Sequence, residues 1–313
     1  MIGVAGEAVL DLLPDATAVL AGSPFNVALG LGRLGAPVAY LGALSLDEAG
    51  EAFLAALEAA GVATGLVQRV EQPSLRAEIS ILGGEARYRF APQDTADRHF
   101  RTPDASRREA LSALHVGSLS LSREPAAGVL EELAGDFAGF LSIDPNVRPA
   151  AIDEPARWRS RILRLAARAD VVKLSLEDAA YLFPDRREDE VAGELFDLGA
   201  FSVLLTKAAR GASWHLRGGT LEVAALSALS GDAVGAGDSF MAGLLAGLSG
   251  TPAAARGAIL GCDPEAVHKA LYLGAACAAI TCAHLGAYAP MRGEAEALLH
   301  VLGPAECHRG TGR

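Results

Sequence analysis

The residues best equipped for chemistry lie in one stretch, Gly231-Asp232-Ala233-Val234-Gly235-Ala236-Gly237-Asp238-Ser239-Phe240, followed by the apolar run Met241-Ala242-Gly243-Leu244-Leu245-Ala246. Small residues come first and helix formers second. The order predicts a tight loop opening into a helix, with Asp238 in its first turn. Gly235 and Gly237 permit backbone angles closed to larger residues. Amides at a helix start lack partners within the helix and carry partial positive charge. The N–H groups of Gly235, Ala236 and Gly237 can therefore cradle an anion. A carboxylate beside such a cradle would repel phosphate. The pairing makes sense if Asp238 takes a proton from an acceptor hydroxyl while the amides hold a phosphoryl group. On these residues alone, the alternative is a glycine-rich turn capped by Asp238.

Such a loop needs a scaffold, and the chain alternates short apolar runs with helical patterns. Strands are expected at 2–6, 37–42, 113–117, 139–143, 170–174 and 201–206. Helices are expected at 24–34, 47–60, 124–135, 155–168, 176–183 and 187–197. This rhythm predicts an α/β fold, with a mostly parallel sheet covered by helices on both faces. Region 64–91 breaks the rhythm. Strand-like Leu75 to Leu82, the turn Gly83-Gly84 and Ala86 to Phe90 read as a hairpin flap. A long apolar helix is expected after Asp263-Pro264-Glu265, running to about His284 and ending at Gly286. Residues 303–313 read as a frayed tail, leaving 1–302 as a single domain with lid elements near 12–20 and 64–100.

Composition narrows the function classes. The 313 residues are 51% hydrophobic, enough for a large core, and the net charge is −11. That charge argues against a nucleic-acid surface. No apolar run is long enough for a membrane span. The N-terminus enters a strand directly, so a cytoplasmic protein is expected. Cys262, Cys277, Cys282 and Cys307 lack zinc-site spacing. Gly30-x-Gly32-x-x-Gly35 matches a dinucleotide fingerprint only formally, because it closes a helix instead of opening one. No P-loop motif occurs.

The signature loop resembles that of the ribokinase-like (PfkB-type) sugar kinases, in which a Gly-x-Gly-Asp turn carries the catalytic base. The resemblance spans roughly residues 1–291. Ala21-Gly22-Ser23-Pro24-Phe25-Asn26, running to Gly35, is similar to the family's first signature, with Ala21 where a glycine is usual. The resemblance implies a loop at Gly22 that approaches the sugar and a sugar contact at Asn26; a helix cap is the other reading of Asn26. Gly6-Glu7-Ala8-Val9-Leu10-Asp11-Leu12-Leu13-Pro14 resembles the fructokinase branch, with Asp11 accepting hydrogen bonds from sugar hydroxyls. Asp144-Pro145-Asn146-Val147-Arg148 is similar to the Asp-x-Asn-x-Arg segment of hexose kinases, which places Asp144 and Arg148 at the sugar. A loop with an Asp–Arg pair is the plainer reading.

For the nucleotide, the resemblance implies Lys173 and Thr206 at strand ends, with Gly211 closing the Thr206-to-Ala212 loop. Ala208 stands where that loop's first glycine is usual, and Ala275 where many relatives carry an asparagine beside adenine. Asp178, or Glu177 in its stead, would organise Mg2+ through water; a capped helix start is the alternative. Asp232 would serve a monovalent cation such as K+. ATP and a small sugar are the implied partners, with no nucleic acid or membrane, and the lid is a candidate homodimer contact. The implied function is ATP-dependent phosphorylation of fructose or a similar ketohexose. The alternatives are a 2-keto-3-deoxygluconate, ribose or nucleoside kinase, or a non-catalytic sugar- or nucleotide-binding homologue.

Overall fold

The computed structural model describes residues 1–15, 17–82, 85–226, 233–249 and 264–302. The expected turn at Gly83-Gly84, Asp232 and the expected tail at 303–313 lie outside the described residues.

The strands that read as continuous apolar runs form one sheet. They are β1 (Ile2–Ala5), β4 (Val38–Leu41), β9 (Ala113–Gly117), β10 (Phe140–Asp144), β11 (Val171–Ser175) and β12 (Ser202–Thr206), extended by β13 (Ala212–Leu216) and β14 (Gly219–Val223). The order is β14-β13-β12-β11-β10-β9-β1-β4. Pairing is parallel from β4 to β12 and antiparallel at the β13–β14 edge. Strands of such a sheet are buried on both faces, which is why they lack polar alternation.

Helices cover both faces. α1 (Ser23–Arg33), α2 (Glu48–Ala59), α8 (Ala236–Leu248), α9 (Pro264–Cys282) and α10 (Arg292–Leu302) bury one apolar cluster. After α3 (Ala105–Arg108), the helices α4 (Ala126–Asp136), α5 (Pro155–Ala166), α6 (Leu176–Leu182) and α7 (Glu188–Leu198) bury the other. Of the fingerprint glycines, Gly30 and Gly32 belong to packing, and Gly35 takes a left-handed angle of φ 71° after α1. A Cβ on Gly30 would come 2.6 Å from Ala242 Cβ of α8. Close approach of α1 to α8 is what brings the two signature loops together.

A second sheet stands beside the first. It contains β2 (Val9–Leu12), β3 (Ala18–Ala21), β7 (Leu75–Leu82) and β8 (Glu85–Ala91), in the order β3-β2-β7-β8. The hairpin seen in the sequence is β7–β8, paired antiparallel. The sequence pattern did not reveal β2 and β3, which are too short to show a period. Part of the expected lid range behaves differently, because β6 (Gln68–Val70) pairs with β5 (Ala43–Ser45).

Candidate active site

Gly235 caps α8 at φ 75°, a left-handed angle that favours glycine. A Cβ there would also lie 2.5 Å from Ala287 Cβ. The loop therefore turns sharply into the helix, and Asp238 falls in the first turn as expected. Its side chain is buried. Oδ1 accepts a 2.6 Å bond from the Ser23 hydroxyl, and Oδ2 a 2.8 Å bond from Asn26 Nδ2. Burial raises the Asp238 pKa above the usual carboxylate value. The bonds from Ser23 and Asn26 and the charges of Lys173 and Arg148 restrain that rise. The result is a carboxylate fixed in direction and more basic than an exposed one.

Ser23 and Asn26 are placed by the first turn of α1. Gly22 precedes it at φ 113°, and a Cβ there would lie 2.8 Å from the Glu7 carbonyl oxygen. Asn26 N–H donates to the Gly22 carbonyl at 2.8 Å. Asn26 does not cap its helix through its side chain. It holds Asp238 instead, and its amide oxygen has no partner among the described residues.

A row of polar groups crosses the sheet beneath α8. In the register, Ser142 lies opposite His115, Asp144 opposite Gly117, and Ile143 opposite Val172. His115, Ser142, Asp144 and Lys173 therefore share the face that packs on α1, α8 and α9. Lys173 Nζ donates to Asp144 Oδ2 at 2.7 Å, with both side chains buried. Burial works against the ammonium, but the charges of Asp144, Asp178 and Asp238 outweigh it and raise the Lys173 pKa. Burial lifts Asp144 to about 6, and Lys173 opposes the lift. At neutral pH the two stand as an ion pair. Among the described residues, Asp144 Oδ1 has no hydrogen-bond partner. His115 donates to or accepts from Ser142 Oγ at 2.8 Å, and burial drives its pKa down to about 3, so it is neutral. A Cβ added to Gly237 would lie 3.1 Å from Lys173 Nζ. The ammonium thus sits against the turn that carries the anion cradle. Asp144 is its one hydrogen-bond partner among the described residues.

Asp178 is buried and fully engaged. Oδ2 accepts from Ser175 N at 2.8 Å and from Ser175 Oγ at 2.7 Å, while Oδ1 accepts from Val147 N at 2.6 Å. It closes a capping box on α6 and ties the 146–148 loop to it. Glu177, its neighbour, is exposed. Among the described residues, no group of three or more His, Cys, Asp or Glu forms a metal cluster.

Asp11 projects from β2, half-buried. Burial raises its pKa to about 6, against the nearby charge of Arg148. Arg148 is exposed, bonds to the Val147 carbonyl at 3.0 Å, and also acts on Asp238. Asp11, Arg148 and Asp238 thus share one electrostatic neighbourhood. Thr206 ends β12 beside Leu174, and Gly211 leads into β13. Between them Ala208 adopts φ 47°, the left-handed angle a glycine would take freely and which costs a residue with a Cβ about 1–2 kcal/mol. Lys207 and Arg210 both reach Glu188, at 3.4 and 3.1 Å. Ala275 is buried in α9.

Sequence reasoning did not single out Ser23 as a site residue. A serine before Pro-Phe reads as a helix cap, whereas its hydroxyl bonds a residue 215 positions away. Only the packing of α1 on α8 creates that contact.

The chain matches the model of the pfkB family carbohydrate kinases over residues 4–293. It is 35% identical to a fructokinase of Rhizobium leguminosarum bv. trifolii over 259 residues, 79% of each chain. It is 30% identical to an Escherichia coli fructokinase over 307 residues, 94% of this chain and 98% of the other. The structure of a fructokinase with bound ATP from Xylella fastidiosa superposes with a TM-score of 0.87 at 30% identity, covering 96% of this chain and 98% of that one. Fold and site together define a sugar kinase on a ribokinase-like scaffold. The chain belongs to the pfkB family of carbohydrate kinases.

Proposed function

We propose that the protein phosphorylates D-fructose or a closely similar ketohexose with ATP. The observation that carries this reading is the buried Asp238, held by Ser23 and Asn26 in the first turn of α8, with the Lys173 ammonium against the same turn at Gly237. Asp238 takes the proton of the acceptor hydroxyl as its oxygen attacks the γ-phosphorus, and ADP leaves. The amides of Gly235, Ala236 and Gly237, together with the Lys173 ammonium, neutralise charge on the phosphoryl group in flight. Asp144 keeps Lys173 charged and directed. This role suits its full burial better than contact with a sugar hydroxyl.

Asp11 and the Asn26 amide oxygen accept from sugar hydroxyls, and Gly22 leaves room for the sugar to approach. The four-stranded sheet, acting as the lid, excludes water that would compete with the sugar. Thr206 and Gly211 line the nucleotide side. Mg2+ supplies charge neutralisation for the ATP phosphates and relies on few protein carboxylates. Glu177 is the carboxylate free to meet a metal-bound water, because both Asp178 oxygens are taken by hydrogen-bond donors from Ser175 and Val147. The lid also serves as the homodimer contact, and the enzyme works in the cytoplasm. Among the described residues, no helix is long and apolar enough to cross a membrane.

Arg148 supports a second reading. An exposed guanidinium beside Asp11 suits the carboxylate of a sugar acid such as 2-keto-3-deoxygluconate. ADP release measured with fructose, ribose, adenosine and 2-keto-3-deoxygluconate separates the two. The highest kcat/KM belongs to fructose on the first reading. A higher value for the sugar acid establishes the second.

A further inference from the structure

Glu7 lies at the carboxyl end of β1, where the chain leaves the core sheet for the lid, yet no part of the proposed chemistry uses it. Its side chain is 1% exposed. Ser120 N–H donates to Glu7 Oε2 at 2.9 Å, the Ser120 hydroxyl donates to the same oxygen, and Glu7 N–H donates to Ser120 Oγ at 2.7 Å. Three hydrogen bonds thus join two residues 113 positions apart. Among the described residues, Oε1 has no partner in hydrogen-bonding geometry, although Ser118 is near enough to restrain the carboxyl's pKa. Burial still lifts that pKa to about 7. A carboxyl kept in so costly a place calls for a structural or functional return.

Its surroundings indicate what that is. Gly6, just before it, is pinned to the core: its N–H donates to the Leu41 carbonyl at 3.0 Å and its carbonyl accepts from the Tyr40 hydroxyl at 2.7 Å. A Cβ on Gly6 would lie 2.4 Å from Pro24 Cγ and 2.6 Å from Ser120 Oγ. The Glu7 carbonyl packs on Gly22, and Val9 two residues later begins β2, which carries Asp11. One residue therefore touches the root of the lid, the turn Ser118–Leu121 after β9, and the loop that presents Ser23 and Asn26 to Asp238.

We propose that Glu7 and Ser120 form a latch, a pair of positioning residues that fixes the root of the lid on the core and so sets Asp11 against the Ser23–Asn26 turn. The latch acts on the sugar side of the site and leaves the nucleotide side alone. This proposal rests on the sugar-kinase reading for its kinetic arm only.

The test uses the full chain and the sugar giving the highest turnover. Glu7→Ala and Ser120→Ala should each raise the sugar KM about 10- to 100-fold, as loss of hydrogen bonds to a carboxylate implies, and leave the ATP KM within about twofold of the parent. The double variant should be little worse than either single one, because the two residues act as a unit. Glu7→Gln keeps an acceptor for Ser120 and should restore the sugar KM to within about threefold of the parent. A second arm needs no substrate. Amide hydrogen exchange of the free protein should rise at Val9–Leu12 in Glu7→Ala while Ile2–Ala5 and Val38–Leu41 stay protected. Additive kinetic effects, an equal rise in ATP KM, or Glu7→Gln behaving as Glu7→Ala would overturn the latch. So would exchange rising equally in the core strands. If no sugar is turned over, the kinase reading fails, and the exchange experiment still decides the latch.

Discussion

Gly235 and Gly237, two residues apart, give opposite outcomes when replaced by alanine, and the contrast tests the architecture of the anion cradle. In Gly237→Ala, the new Cβ meets one group, the Lys173 ammonium, at 3.1 Å. Gly237 lies within α8 and lacks a left-handed angle. The fold should therefore tolerate the change, with a gain of about 0.4–1 kcal/mol from the stiffer unfolded chain. The ammonium, however, must move by a few tenths of an ångström, against its 2.7 Å bond to Asp144. A full ångström of misplacement costs about 100-fold in rate, and deletion of a single charge-stabilising donor costs about 100- to 1,000-fold. Turnover should fall about 10- to 100-fold. In Gly235→Ala the same methyl meets Ala287 Cβ at 2.5 Å and the backbone sits at φ 75°. The left-handed angle alone costs about 1–2 kcal/mol. Unfolding temperature should drop by at least about 3 °C. A coupled ADP-release assay and thermal denaturation read both variants. Wild-type turnover in Gly237→Ala at unchanged stability would refute the placement of Lys173 at the reacting group. Wild-type stability in Gly235→Ala would refute the loop geometry.

Other perturbations follow from the same geometry. Ser23→Ala removes a bond that lowers the Asp238 pKa. The base must be ionised to work, so activity is lost as pH falls through its pKa. Raising that pKa moves the acid limb of the kcat/KM profile to higher pH; an unmoved limb would show that Asp238 is not the group titrating. Asp11→Ala should lower kcat/KM for the sugar about 10- to 150-fold and spare nucleotide binding, measured by steady-state kinetics and calorimetry. Asp178→Ala removes the acid half of the capping box of α6 and the partner of Val147 N–H. It should lower the unfolding temperature by roughly 1–3 °C, whereas Glu177→Gln should raise the magnesium needed for half-maximal activity at unchanged stability. A raised requirement in Asp178→Ala beyond that in Glu177→Gln would return the metal role to Asp178.

The sheet was legible in the sequence because its strands are buried on both sides and read as apolar blocks between helical repeats. β10 and β11 announce themselves this way, even with Asp144 at the end of β10 and Lys173 in the middle of β11. β2 and β3 did not, since four residues each cannot display a period and their pairing depends on β7, more than fifty positions away. The signature loop was legible for a local reason: glycine spacing and the helix behind it set Asp238 within one turn. Partnerships across the fold were not. Ser23 and Asn26 look like ordinary first-turn residues until α1 packs on α8. Lys173 and Asp144 become a buried pair only through the β10–β11 register. The type and place of Asp178 fit a metal residue; not legible in the sequence was that one of its oxygens accepts from Val147 N–H, thirty-one positions away, and the other from Ser175.

The account stands most directly on Asp238 as the base that activates the acceptor hydroxyl. ADP release and ATP binding should be measured side by side for the parent and Asp238→Asn, with fructose as acceptor. Loss of the proton acceptor should lower turnover by roughly 10²–10⁴, while ATP affinity stays nearly unchanged, because the amide cradle and Lys173 remain. Near-normal turnover in Asp238→Asn would contradict the account.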